Sequence, residues 1–272
     1  MTGISRVAAS VRFRVRRLRT RMLRLAVDAD PTPRRVARRI PTHAISGVLC
    51  CVYRAAHVEH VVALAGDAEA AGLAPRLWAL ETIAPALDRW TVGCGPGPRQ
   101  ALLNRLTPAA PDGWVVFTDD DVVVGDGALL RLLSVASEIG LDVVQPAHAG
   151  ASRASTPFVR ARFGVAARRT GFVEIGPLIA LGPAARSALL PLDESLGMGW
   201  GQDYLWAHAF ADNGLTVGIV DAVRIRHLAP SVPTYDRAKE TRHLEACLVR
   251  AGYRDFEEPL VTYSTWRVRD LP

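Results

Sequence analysis

The chain has 272 residues, 49% hydrophobic and only 22% charged, which is enough apolar material for a sizeable core and excludes intrinsic disorder and a disulfide-stapled miniprotein. The length fits one large α/β domain, or one domain plus an arm, better than two domains. The net charge of +6 is unevenly placed: residues 1–39 hold twelve Arg against Asp28 and Asp30, a balance of +10, so residues 40–272 carry −4.

Residues 4–27 set Ile4, Val7, Ala8, Val11, Val15, Leu18, Met22 and Leu25 at spacings of three and four with Arg between them. That pattern predicts a basic amphipathic helix, closed off by Pro31 and Pro33. Residues 1–39 therefore read as an arm and 40–272 as the domain. The arm is either a solvated appendage or a peripheral membrane tether lying in anionic headgroups. Nucleic acid is not expected as a partner, because the body is acidic and no aromatic stacking platform accompanies the arm. No run of about 18 uncharged apolar residues is present to span a bilayer, and Arg interrupts the N-terminus too often for a signal peptide. Cys50, Cys51, Cys94 and Cys247 form no CxxC pair and read as small core residues in a reducing compartment. Adjacent Cys50 and Cys51 would point to opposite faces of a strand. The expected location is cytoplasmic, with peripheral contact at the inner face of the membrane if the arm binds lipid.

From residue 44 strand and helix patterns alternate. Ala44–Tyr53 is a continuous apolar run ending at Arg54, suited to a strand covered on both faces. A helix is predicted over Glu59–Ala71, a short strand over Arg76–Leu80, and a helix over Arg99–Leu106 after the Gly/Pro-rich turn at 93–98. Trp114–Thr118 reads as a second buried strand, Ala128–Ile139 as a helix and Val143–Gln145 as a short strand. This rhythm predicts a mainly parallel sheet. In such sheets ligands bind beyond the carboxyl ends of the strands, so polar residues directly after apolar strands are the candidates for function.

The segment Trp114-Val115-Val116-Phe117-Thr118-Asp119-Asp120-Asp121-Val122-Val123-Val124 carries most of the functional information. Three consecutive carboxylates between hydrophobic runs repel one another unless a cation neutralises them. Leaving a strand, Asp119 and Asp121 project to one side and Asp120 to the other. Two carboxylates on one side suit a hard divalent cation, Mg²⁺ or Mn²⁺, which also takes phosphate oxygens. The competing reading is an acidic turn at a helix N-terminus. Upstream, Cys94-Gly95-Pro96-Gly97-Pro98-Arg99 leads into the helix bearing Asn104. Backbone N–H groups at a helix start plus an Arg form a diphosphate site.

Downstream, Gly197-Met198-Gly199-Trp200-Gly201-Gln202-Asp203 sets one carboxylate at the start of a helix after a Gly-rich loop. This is a good mount for a general base, with a plain helix cap as the alternative. A late strand pair within Val217–Leu228 ends in His227; the other six His have no comparable context, and His208 reads as a packing or surface residue.

In their order (strand-end Tyr53-Arg54, Gly turn with Arg99, Asp119-Asp120-Asp121, Asp203 on its helix, late His227) these features resemble glycosyltransferases of the GT-A fold, family 2 in particular, over roughly residues 44–230. The resemblance implies a single Rossmann-like α/β domain with helices flanking the sheet. It implies metal-dependent transfer of a sugar from a nucleotide-diphosphate donor to a hydroxyl of a glycan or lipid-linked acceptor. Carried over, Tyr53, Arg54, Gly95, Gly97, Arg99, Asn104, Asp119 and Asp120 would face the donor, and Asp119, Asp121 and His227 would hold Mn²⁺ or Mg²⁺. Glu174, Gly176, Trp200, Gly201 and Gln202 would lie on the acceptor side, with Asp203 the base of an inverting displacement. The run from Phe172 through Asp203 to Val220-Asp221 and His227 also resembles a GT-A-like family with Val-Glu, Gly-Trp-Gly-x-Asp and Val-Asp-x-x-x-x-x-His elements. Two departures stand out: Leu80-Glu81-Thr82 replaces the usual Asp-Asp-Gly-Ser, and Gln202 replaces a Glu.

Two other classes are compatible with parts of the pattern. A haloacid-dehalogenase-type phosphohydrolase would use Asp119 as nucleophile, but it needs a downstream cation and acidic pair, and the sole Lys is Lys239. A non-catalytic nucleotide or carbohydrate binder would keep the fold without needing Asp203.

Overall fold

The computed structural model describes residues 22, 25–109, 112–150, 152–228 and 236–272, so most of the helix expected over 4–27 lies outside the described residues. Helix α1 (Thr32–Arg39) precedes the sheet. Strands β1 (Gly47–Tyr53), β2 (Leu73–Ala79) and β3 (Thr91–Cys94) follow, with α2 (Val58–Ala70) between the first two. Then come α3 (Arg99–Leu106), β4 (Trp114–Asp119), the two-residue β5 (Val122–Val123), α4 (Ala128–Glu138) and β6 (Val143–His148). The chain continues through β7 (Ala167–Thr170), β8 (Leu178–Leu181), α5 (Pro183–Leu189), α6 (Gln202–Asp212), β9 (Val217–His227), α7 (Arg237–Arg250) and β10 (Thr262–Trp266).

The strands form one sheet in the order β10-β7-β9-β6-β8-β4-β1-β2-β3, with β5 paired to β9. The half built on β1 is parallel, β4 and β2 flanking β1 and β3 joining β2. β6 and β9 form a second parallel pair. Antiparallel β8 is inserted between β4 and β6, while β7 and β10 close the far edge antiparallel.

Side chains alternate across this sheet, as strand geometry requires. Leu49, Cys51 and Tyr53 of β1, with Trp114 and Val116 of β4, pack on one face against Val61, Leu64 and Ala68 of α2 and Leu129, Leu132 and Leu133 of α4. Val48, Cys50, Val115 and Phe117 point to the other face, against Leu103 and Leu106 of α3, Ala185 and Leu189 of α5, and Trp206 and Phe210 of α6. The two neighbouring cysteines thus sit in separate cores, and all four are free thiols. The result is a helix–sheet–helix sandwich. The α2 and α4 helices are tied end to side: Asp67 accepts hydrogen bonds from Gly127 N (2.5 Å) and Leu129 N (2.9 Å), capping the N-terminus of α4.

Two expectations change. The segment Val217–His227, expected as a strand pair, is one strand, β9, with a register shift against β6 between Pro146 and Ala147. Residues 221–223 bulge there, and the bulge carries buried Asp221 onto Arg168 (2.8 Å). The described part of the predicted arm is packed on the domain. Val36 and Ile40 belong to the core, Asp30 pairs with Arg224 (2.9 Å), and Asp28 accepts from Gly150 N (3.0 Å). Among the described residues no helix is long and apolar enough to cross a membrane.

Candidate active site

The carboxyl ends of β4 and β9 meet. β5 pairs antiparallel with the end of β9, Val122 opposite His227, and Leu228 N donates to Asp121 O (2.9 Å). This brings ligand atoms of Asp119, Asp121 and His227 within 4.8 Å of one another. His227 Nε2 stands 3.2 Å from Asp121 Oδ1. Burial works to raise the Asp121 pKa, but the hydrogen bond and charge of His227, then Arg54 and His57, bring it below the usual carboxylate value. Burial works to lower that of His227, yet Asp121 and Asp119 raise it above an ordinary imidazole. Two hard oxygens and an imidazole are a fitting donor set for Mn²⁺ or Mg²⁺.

Asp120 turns the other way, as the alternation requires. It is buried and accepts from Arg54 N (2.9 Å), Nε (2.9 Å) and Nη2 (2.5 Å), with His57 Nδ1 3.2 Å away. These bonds hold Arg54 at the end of β1. Arg99, at the first turn of α3, donates from Nε to Asp119 Oδ1 (2.9 Å), and its Nη2 lies 2.7 Å from the same oxygen. That Nη2 is buried and makes no hydrogen bond among the described residues. A charged donor whose only partner among the described residues is the Asp119 carboxylate therefore stands beside the cluster.

The loop before β8 joins this cluster to Asp203. Asp119 N donates to Pro177 O (2.8 Å), and a Cβ on Gly176 would stand 3.1 Å from Asp119 Oδ2, so a larger residue would press on that carboxylate. One residue before Gly176, Ile175 N donates to the Asp203 carboxylate, as does Tyr204 N (3.1 Å). Asp203 stands at the first turn of α6, whose N-cap Gly201 has φ +94°, where a Cβ would be 2.6 Å from Cys247. Desolvation, then the charge of Glu174, pushes the Asp203 pKa up to about 7 against the opposing backbone hydrogen bonds. Glu174 is buried; Ser155 Oγ donates to its Oε1, and His148 Nε2 lies 3.5 Å from its Oε2.

His148 and His57 are the residues that sequence reasoning missed. His148 Nδ1 bonds Arg153 O (2.6 Å) and Ser152 Oγ (2.9 Å), which puts its proton on Nδ1. Its buried Nε2 makes no hydrogen bond among the described residues and faces Glu174, while its ring lies edge-on to His227 at 6.3 Å. The signal was present: β6 runs to His148, so this residue ends a parallel strand, as Asp119 does.

Other expected residues are placed differently. Tyr53 is fully buried, its hydroxyl 3.1 Å from Thr91 Oγ1 and accepting from Ala84 N (3.2 Å). Asn104 fastens α3 to the loop after α5 through Leu192 N and O (both 2.9 Å) and Glu194 (3.0 Å). Both hold the scaffold, because their polar atoms are already engaged. Gln202 is buried and accepts from Gln100 Nε2, tying α6 to α3. Gly95 bonds Ala79 O through its N and Trp78 Nε1 through its O. Gly97 packs on Leu102, and Trp200 is half-buried in the loop before α6. Lys239 is exposed on α7, and His208 bonds Ala251 O and stacks on Tyr253.

No protein-family model matches the chain, and no curated protein is similar to it in sequence. Among solved structures it is similar to GalNAc-T7, crystallised with UDP, GalNAc and Mn²⁺, with a TM-score of 0.57 at 10% identity over 77% of this chain. The chain spans about half of that protein, 48% of its length. The sheet order, the flanking helices and this likeness together establish a mixed α/β domain of GT-A type.

Proposed function

We propose that the chain is a metal-dependent, family-2-like glycosyltransferase. It would move a sugar from a nucleotide-diphosphate donor to a hydroxyl of a glycan or lipid-linked acceptor, in cell-envelope or polysaccharide synthesis. The observation that carries this reading is the convergence of Asp119, Asp121 and His227 within 4.8 Å beside the Arg99 guanidinium, which pairs with Asp119. The similar GalNAc-T7 was crystallised with UDP, GalNAc and Mn²⁺, which supports a nucleotide-sugar donor here.

Asp119, Asp121 and His227 would hold Mn²⁺ or Mg²⁺, which when bound supplies positive charge against the diphosphate. Arg99 offers Nη2 to the phosphate oxygens, while Asp119 keeps its guanidinium in place. Arg54, fixed by Asp120, adds a second cation at the end of β1. Asp203 takes the proton of the acceptor hydroxyl, and a carboxylate titrating at about 7 suits that task at neutral pH. With the acceptor on the Asp203 side and the diphosphate on the Arg99 side of the Glu174–Pro177 loop, the hydroxyl attacks opposite the leaving group and the anomeric centre inverts. Residues 4–27 would add peripheral membrane contact.

The test is a thermal-shift panel of nucleoside diphosphates and nucleotide sugars with and without Mn²⁺. One donor should stabilise the protein only with metal, by about 2.7 kcal/mol at a hundredfold excess over its Kd. Asp121→Ala should abolish the metal-dependent part. A flat panel together with phosphate release from a generic phosphomonoester would sink the reading in favour of a phosphohydrolase.

A further inference from the structure

The domain carries a cationic depression where the chain enters the fold, apart from the Asp119 cluster. Helix α1 buries Val36 and leaves Arg34, Arg35 and Arg38 exposed. Arg34 and Arg38, one turn apart, meet Arg131 of α4 around a cavity of about 360 Å³ floored by Pro33 and Ala37. It adjoins a second cavity, of about 460 Å³, that shares Arg34 and Arg131. None of the three guanidinium groups has an ion pair or hydrogen bond among the described residues. The carboxylates that could neutralise them are engaged elsewhere: Asp30 with Arg224, Thr32 and Gly164 N, and Asp28 with Gly150 N. Among the described lining residues only exposed Asp126 remains, in the second cavity. Three guanidinium groups around one depression repel one another unless an anion sits among them, and guanidinium geometry matches phosphate.

We propose that this depression seats the phosphate headgroups of an anionic bilayer, so that the folded domain, and not only the segment before it, docks on the membrane. Three observations favour a lipid surface over other polyanions. The site is continuous with a segment whose balance over residues 1–39 is +10. Met22 and Leu25, just upstream, are each 62% exposed and offer apolar side chains to the acyl boundary. Among the described residues no aromatic side chain lines either cavity, so none of them offers the stacking surface that single-stranded nucleic acid uses. This inference stands whether or not the chain transfers sugar.

The experiment is co-sedimentation of the full chain with phosphatidylcholine vesicles in which about one third of the lipid is phosphatidylglycerol, against neutral vesicles. Wild type should bind the anionic vesicles alone. The triple variant Arg34→Ala/Arg38→Ala/Arg131→Ala should bind roughly a hundredfold more weakly, at about fivefold per arginine. The Arg→Lys triple variant should keep most of the binding, and Arg237→Ala/Lys239→Ala/Arg242→Ala, three exposed cations of α7, should lose far less. An unchanged thermal transition of the Ala variant separates lost docking from lost folding. The proposal is overturned if the Ala variant binds like wild type, or loses no more than the α7 control. Displacement of the protein from vesicles by inorganic phosphate, or stronger binding to polyuridylate than to vesicles, also overturns it.

Discussion

Asp203 is held in a protonation state that costs the fold something and suits the proposed reaction. An unfolded aspartate ionises near 4, whereas this one waits until about 7. Between those values the unfolded chain releases a proton that the native chain keeps, so stability falls as pH rises, and the cost is complete above about 7. Asp203→Asn should therefore be more stable than wild type at pH near 8 and no more stable near pH 4, both read by chemical denaturation. The same substitution should abolish transfer, while wild-type activity should rise with pH through about 7. A variant that loses activity without this pH-dependent gain would make Asp203 a helix cap and not a base. Glu174 and His148 belong to the same pocket, as the second carboxylate and the imidazole that faces it.

At the scale of elements, the β7–β9 contact rests on a fully buried ion pair. Arg168 is 0% exposed; its Nε bonds Asp221 Oδ2 (2.8 Å), and its Nη atoms reach Phe158 O and Arg160 O. Asp221, also 0% exposed, takes Arg162 N on its other oxygen (2.8 Å). Burial raises its pKa, and Arg168 opposes that. Arg168→Met should destabilise the protein by about 3–5 kcal/mol in urea unfolding, since it strands a buried charge, and Asp221→Leu in the same chain should recover part of the loss. The Val220-Asp221 element that accompanied His227 in the sequence is therefore structural: it fastens the bulge that carries β9 on to His227.

At the scale of the molecule, residues 25–40 are packed into the fold. Val36 and Ile40 close the core beside α4 and β9, Asp30 reaches Arg224, and Arg39 Nε donates to Pro272 O (3.3 Å). A chain beginning at Pro41 should be less stable than one beginning at Leu25 by about 3 kcal/mol or more, from the two buried side chains alone. Thermal unfolding of the two truncations decides this, and equal transitions would make residues 25–40 a dispensable arm. The segment also reaches toward the candidate site, because Asp28 accepts from Gly150 N, two residues before the Ser152 that bonds His148 and His227 N.

The α/β class, the strand that ends in Asp119 and the opposed directions of Asp119/Asp121 and Asp120 were all legible in the sequence. They follow from local rules: apolar runs bury, side chains alternate, and charge after a buried strand must be neutralised. The Arg99 turn and the placing of Asp203 at a helix start were legible for the same reason. Tertiary structure alone decided which of these groups meet. The antiparallel insertion of β8 between β4 and β6 brings the Glu174–Pro177 loop between Asp119 and Asp203. Pairing of β5 with β9 delivers His227 to Asp121. It was also packing, not pattern, that turned Tyr53 and Asn104 into scaffold and drew His148 into the site. Contacts between residues far apart in the chain depend on strand order and register, and neither is written into the alternation of any single strand.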